Sequence, residues 1–291
     1  MGLKFAFLIG VPKGGTTSVA KWLDQHSQII TSTPKEPGHF REVRPFTIVN
    51  AHTGMRRERP KDGPMLDFGA YMRLWDGVPD HHWRLDASTD YLSDPASPNK
   101  ISEFAQTNTV KVFCVVRDPV ERAWSEYRHT RRDGFEPLDF RASLDAEPER
   151  IEAGYTPLFH HIRRSTYHAD LKSWRARFGS DLLIVDYADL GDPARLEERI
   201  CAHLGLTVEG LGAIGRENAA TRGQQVAPLS RLKAAAKGLL RPGTRDARPR
   251  HAAPLSDDDR RYIVDLLRED IEACLADPDV PTGSWDCARF L

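Results

Sequence analysis

The chain predicts an α/β fold in which a central parallel sheet carries helices on both faces. Three observations support that expectation. Apolar runs at 5–9, 109–116 and 181–187 have strand length and are rich in β-branched or aromatic residues, as strands covered on both faces are. Each run leads into a turn of Gly, Pro or Asp and then into apolar residues at helical spacing. This strand–loop–helix order occurs three times, the pattern of parallel strands joined by helical crossovers.

The first strand ends at Gly10 and runs into Val11-Pro12-Lys13-Gly14-Gly15-Thr16-Thr17-Ser18. A helix is expected from about Thr17 to His26, capped near its start by Thr or Ser, with Val19, Trp22 and Leu23 inward. A strand feeding a Gly-rich turn that opens a helix leaves backbone N–H groups at a positive dipole end, which is an anion site and above all a phosphate site. The spacing Gly10 to Gly15 matches a nucleotide-phosphate loop, and 291 residues suit one large α/β domain or two small ones. Thr16, however, stands where an NTPase needs its lysine, and the lysine comes earlier, at Lys13. Kinase or ATPase chemistry is therefore disfavoured.

A short strand at 28–31 delivers the chain to Pro34-Lys35-Glu36-Pro37-Gly38-His39-Phe40. Two prolines stiffen this loop, which presents a base, an acid and an imidazole within five positions. Lys35 is a candidate for orienting an anionic or hydroxylated substrate. From 41 to 82 clear periodicity is lost, and this stretch, with its basic run 56–61, is expected to be a variable substrate loop. Only 68–75 has a short amphipathic helical pattern. The segment Leu85-Asp86-Ala87-Ser88-Thr89-Asp90-Tyr91-Leu92 follows.

The strand at 109–116 ends at Arg117-Asp118-Pro119. Asp118 as N-cap and Pro119 at N1 specify a helix start, with Val120, Ala123, Trp124 and Tyr127 as its inner stripe. Arg117 falls at the carboxyl end of a strand, where open parallel sheets bind ligands, and its planar fork suits a phosphate. Further on, Tyr167, Leu171, Trp174 and Phe178 fall at core spacing, a helix opens at Asp192-Pro193 and stops at Gly205, and the last helix starts at Ser256 and packs Ile263, Leu266, Leu267 and Ile271. Between them, 219–253 is expected to be a basic flexible loop.

With 40% hydrophobic and 29% charged residues the chain can bury a sizeable core, and a formal net charge of −1 gives no overall basic field, so no nucleic-acid partner is expected. The four cysteines form no C-x-x-C pair and read as reduced structural thiols. No stretch reaches transmembrane length and 5–9 is too short for a signal sequence, so a cytoplasmic location is expected.

The string Pro12–Ser18 resembles the 5′-phosphosulfate loop of sulfotransferases that use 3′-phosphoadenosine 5′-phosphosulfate (PAPS), and Arg117-Asp118-Pro119 through Ser125 and Tyr127 resembles that family's 3′-phosphate motif. The resemblance is to the bacterial and heparan sulfate sulfotransferase-like members, spans most of the chain and implies a single P-loop-like domain over 1–291. It implies PAPS as sulfuryl donor and PAP as product, held by Lys13, Gly14, Gly15, Thr16, Thr17, Ser18, Arg117 and Ser125, with no metal. It also implies Glu36 as general base on the acceptor hydroxyl and Lys13 as a catalytic cation. Cytosolic members use a histidine, which keeps His39 as a second candidate base. The segment 85–92 is similar to one bordering the acceptor pocket, making Asp86 and Ser88 substrate-binding candidates. Asp86 replaces the usual glutamate there, and Ala87 replaces a lysine of the heparan enzymes, which argues against a polyanionic acceptor. A basic loop before the last helix closes over the nucleotide in relatives, a role open to Arg248 or Arg250. The implied activity is sulfuryl transfer to a small-molecule or glycan hydroxyl; the alternatives are a non-catalytic PAPS or PAP binder and, less favoured, a nucleotide kinase. The acceptor and the oligomeric state are left open.

Overall fold

The computed structural model describes residues 2–42, 46–49, 56–59, 67–215 and 254–291, with the backbone alone for 46–49 and 56–59. The expected basic loop at 219–253, with Arg248 and Arg250, lies outside the described residues.

Five strands form one all-parallel sheet in the order β2-β5-β1-β6-β7: β1 (Lys4–Leu8), β2 (Ile29–Thr31), β5 (Trp83–Asp86), β6 (Thr109–Val116) and β7 (Leu182–Asp186). The alternation of side chains along a strand divides the core in two. Phe5 and Phe7 of the first strand, Ile9 just after it, and Val110, Val112, Cys114 and Val116 of the sixth point to one face. There they meet α2 (Phe68–Arg73), α3 (Ser97–Phe104), α7 (His168–Phe178) and α9 (Asp257–Ala276) through Tyr71, Ile101, Leu171, Trp174, Ile263 and Ile271. Ala6, Leu8, Phe113 and Val115 point to the other face, against Val19 and Trp22 of α1 (Thr16–Leu23) and Leu196 and Ile200 of α8 (Pro193–Leu204). Helices thus cover both faces, as expected. Each fully buried Phe or Leu here contributes roughly 1.5–3 kcal/mol of apolar burial.

Several local expectations change. The strand β5 is not announced by its sequence, because Arg84 sits in its middle. Arg84 is buried and donates to the carbonyls of Val78 at 2.7 Å and His82 at 3.1 Å, so two of its three nitrogens are paired inside the protein while Nε is not. The stretch between 41 and 82 contains an antiparallel pair, β3 (Phe46–Val49) with β4 (Arg56–Arg59), so part of the basic run is strand. In α9 the expected core residue Leu266 is 46% exposed, and Val264 is buried instead. Trp124 is only half-buried in α4 (Pro119–Arg132). All four cysteines are free and buried.

After β1 the chain crosses to β2 on one side of the sheet; after β6 it crosses to β7 on the other. The carboxyl ends of the adjacent strands β1 and β6 therefore lie at a topological switch point, where departing connections leave a crevice.

Candidate active site

The loop after β1 is built into the sheet at that crevice. The Val11 amide donates to the Val115 carbonyl at 2.8 Å, and the Val115 amide donates to the Gly10 carbonyl at 2.9 Å. Gly14 is needed because a Cβ there would stand 2.9 Å from the backbone oxygens of both Val11 and Val115. Lys13 and Gly15 both adopt left-handed backbone conformations, with φ of 69° and 78°. Gly15, not Thr or Ser, caps α1, and no side chain makes a capping hydrogen bond at this helix end. The uncapped first turn leaves the amides of Thr16 and Thr17 without partners inside the helix, available to an anion. Thr16 is buried, while Thr17 and Ser18 are half-buried. The Lys13 ammonium makes no hydrogen bond among the described residues, and burial lowers its pKa while the Glu126 carboxylate opposes that.

Arg117 reaches this loop from the end of β6. Its Nη1 donates to the Lys13 carbonyl at 2.9 Å, its guanidinium lies 4.7 Å from the centre of the Tyr187 ring, and Nη2 stands 3.8 Å from Glu121 Oε2. Glu121 is balanced in turn by Arg260 at 2.8 Å. Asp118 caps α4 as expected, taking the amides of Val120 at 2.9 Å and Glu121 at 3.1 Å on one oxygen. Its other oxygen accepts the Cys287 amide at 2.8 Å, while Ser284 donates its hydroxyl to Asp186 at 2.7 Å, so the segment after α9 ties together the ends of β6 and β7. Ser125, two turns into α4, is half-buried. Uncapped amides, an ammonium without a hydrogen-bond partner and a strand-end guanidinium fit a ligand with two anionic ends.

The second expected cluster lies on the loop 32–42. Glu36 is exposed and has φ of 60°, a left-handed conformation that is costly for a residue with a side chain. Lys35 donates to its carboxylate, and Thr89 donates to Oε1 at 3.5 Å. His39 is half-buried, stacked on Tyr71 with centroids 4.9 Å apart and tilted against Phe68 at 5.8 Å. Asp86 and Ser88 are both almost fully buried, at 0% and 2% exposure; they bond to each other, and Ser88 accepts the Gly38 amide of the loop.

A buried ionic network joining these two regions had no sequence signal beyond charges at helical spacing. Glu126 accepts from Arg122 at 2.7 Å and from Arg164, and Arg164 also bonds Asp90, which takes Arg41 at 2.6 Å. Burial would raise the Glu126 pKa, but the two guanidiniums outweigh it and hold the carboxyl well below the usual range. Glu126 acts electrostatically on Lys13, and Glu36 acts on Arg164, which is itself bonded to Glu126 and Asp90.

The comparisons with known proteins agree with this geometry. The sulfotransferase domain model matches residues 4–221. Human bifunctional heparan sulfate N-deacetylase/N-sulfotransferase 2 is 28% identical over 212 residues, which are 69% of this chain and 22% of that protein. Mouse heparan sulfate glucosamine 3-O-sulfotransferase 3A1 is 27% identical over 208 residues, 69% of this chain and 45% of that protein. The chain thus spans between about a fifth and about half of the length of these curated relatives. A crystal structure of a sulfotransferase from Alicyclobacillus acidocaldarius superposes with a TM-score of 0.65 at 28% identity, covering 81% of this chain and 91% of that one. With residues 4–221 matched, and a crevice that carries a glycine-rich loop after one strand and Arg117 at the end of the next, the chain belongs to the sulfotransferase domain family.

Proposed function

We propose that the protein transfers a sulfuryl group from PAPS to an acceptor hydroxyl. The observation that carries this reading is the Arg117 Nη1 bond to the Lys13 carbonyl, which couples two cationic anchors on adjacent strand ends. One anchor suits a 5′-phosphosulfate and the other a 3′-phosphate, the combination that separates PAPS from ATP.

PAPS supplies a sulfuryl group whose transfer releases PAP. Lys13 and the amides at the start of α1 balance the charge that grows on the departing 5′-phosphate, each such donor contributing about 3 kcal/mol. Arg117 and Ser125 hold the 3′-phosphate. Glu36 takes the proton from the acceptor hydroxyl as its oxygen bonds to sulfur, and the bond from sulfur to the 5′-phosphate oxygen breaks in line. His39 is the second candidate base, and Lys35 stands beside Glu36 to orient the acceptor. The relatives' names point to a glycan acceptor, while Ala87 and the paired state of Arg41 and Arg164 favour one that is not a polyanion. Lys13 and the loop amides take the place a divalent cation holds in an NTPase, so metal independence belongs to the reading. A cytoplasmic location is part of it too, supported by the four free thiols. No described helix is long and apolar enough to cross a membrane.

The test uses radiolabelled PAPS with a neutral oligosaccharide, a desulfated glycosaminoglycan, an aliphatic alcohol and 2-naphthol as acceptors, alongside PAP binding. Labelled product from one acceptor, lowered at least 100-fold in Glu36→Gln with PAP affinity retained, is expected. PAP binding with no transfer to any acceptor and equal PAPS breakdown in Glu36→Gln would establish the non-catalytic binder instead.

A further inference from the structure

One buried carboxylate holds the loop that carries Glu36 at two points. Asp86 ends β5 with no exposed surface, and each of its oxygens takes one hydroxyl: Ser88 Oγ donates to Oδ1 at 2.6 Å and Tyr91 Oη donates to Oδ2 at 2.8 Å. Because each hydroxyl proton is committed to Asp86, each hydroxyl turns its lone pairs the other way. Those lone pairs receive two backbone amides of the Glu36 loop, Gly38 N at 3.0 Å on Ser88 and Phe40 N at 3.4 Å on Tyr91. Thr89, between the two, donates to Glu36 itself.

The loop has reason to need this. Glu36 and Gly38 both lie in the left-handed region, at φ 60° and 64°, and for Glu36 that conformation persists only where its surroundings enforce it. A general base must stand within hydrogen-bond reach of the proton it removes, and a displacement of about 1 Å can cost on the order of 100-fold in rate. Fixing the amides two and four residues beyond Glu36 limits where its carboxylate can go.

We propose that Asp86 is a positioning residue for Glu36, acting through Ser88 and Tyr91 as a two-armed clamp on the amides of Gly38 and Phe40. The inference rests on Glu36 as the base, and it gives Asp86 and Ser88 a role in catalysis other than contact with the acceptor.

The test compares Asp86→Asn, Ser88→Ala, Ser88→Thr and Tyr91→Phe with the unaltered protein. Amide hydrogen exchange of the peptide covering 34–42, PAP titration and turnover of PAPS with the best acceptor of the panel are read on each. Ser88→Ala should speed exchange at Gly38 at least tenfold, and Tyr91→Phe should do the same at Phe40. Both should lower kcat at least tenfold, with KM for PAPS and the affinity for PAP within about twofold of the unaltered protein. Ser88→Thr, which keeps the hydroxyl, should restore both exchange and kcat. Asp86→Asn should disturb both arms at once. Unchanged exchange in Ser88→Ala and Tyr91→Phe would overturn the clamp, as would parallel loss of PAP affinity and kcat. Full turnover in Glu36→Gln would instead remove the base assignment, and the exchange measurements would still decide the clamp on their own.

Discussion

Arg117→Ala separates two things that one guanidinium does. In the free protein Nη1 holds the Lys13 carbonyl at 2.9 Å; in the complex the same fork is proposed to hold a 3′-phosphate. A hydrogen bond to a charged group is worth about 1.5–3 kcal/mol, so losing the phosphate contact should weaken PAP by about 10- to 150-fold. Loss of the carbonyl bond acts on the loop instead and weakens any nucleotide that uses it, by about 1 kcal/mol or fivefold. ADP carries 5′-phosphates and no 3′-phosphate, so it reports only the second effect. Calorimetric titration of PAP and ADP into both proteins gives the two numbers. Preference for PAP over ADP should collapse by at least tenfold, while ADP itself changes a few-fold. Equal loss for PAP and ADP would refute the reasoning, leaving Arg117 as a brace for the loop. Arg117→Lys should recover part of the PAP affinity but not all of it, since an ammonium cannot supply the planar fork.

Three other perturbations probe different parts of the structure. Gly14→Ala forces a Cβ to 2.9 Å from two backbone oxygens and should cost about 1–3 kcal/mol, read as a lowered Tm, together with loss of PAP binding. Glu126→Gln leaves Arg122 and Arg164 buried without their shared anion, so urea denaturation should show a loss of about 3–5 kcal/mol. Burial pushes the Asp86 carboxyl from its ordinary 3.8 up to about 6, so the folded state binds the proton more tightly than the unfolded chain. The associated stability, about 3 kcal/mol, is present in full below pH 4 and is lost as pH rises through 6. The stability difference between the unaltered protein and Asp86→Asn, followed by urea denaturation from pH 4 to 7, should move by that amount in that direction; a flat difference would contradict it.

The parts of the site that could be read from the chain are those where backbone geometry dictates residue type. Gly14 must lack a Cβ, and Asp118-Pro119 must start a helix where they do, so both segments proposed to bind anions were legible. Side-chain environment was not. Arg84 hid a central strand because a lone charge inside an apolar run reads as a surface position until its carbonyl partners are known. Arg122 and Glu126, four apart on one helix, carry no mark in the sequence of lying at the centre of a buried network. Asp86 and Ser88 lie in a segment that resembles one bordering an acceptor pocket, and only the depth of β5 in the sheet shows that they are buried. Leu266 fits the inner stripe by spacing, but the face that α9 presents to the sheet passes through Val264.

The bonds that close the donor crevice join parts of the chain that are far apart in sequence. Arg117 lies 104 residues beyond Lys13, and the Asp118 carboxylate that starts α4 is completed by an amide 169 residues further on. Contacts across such separations form only after the intervening chain has lost most of its freedom. The crevice should therefore be among the last regions to acquire protection during refolding, well after β1 and its helix have paired locally. Donor affinity would then mark completion of folding, and PAP added during refolding should stabilise the final product without accelerating the earlier steps.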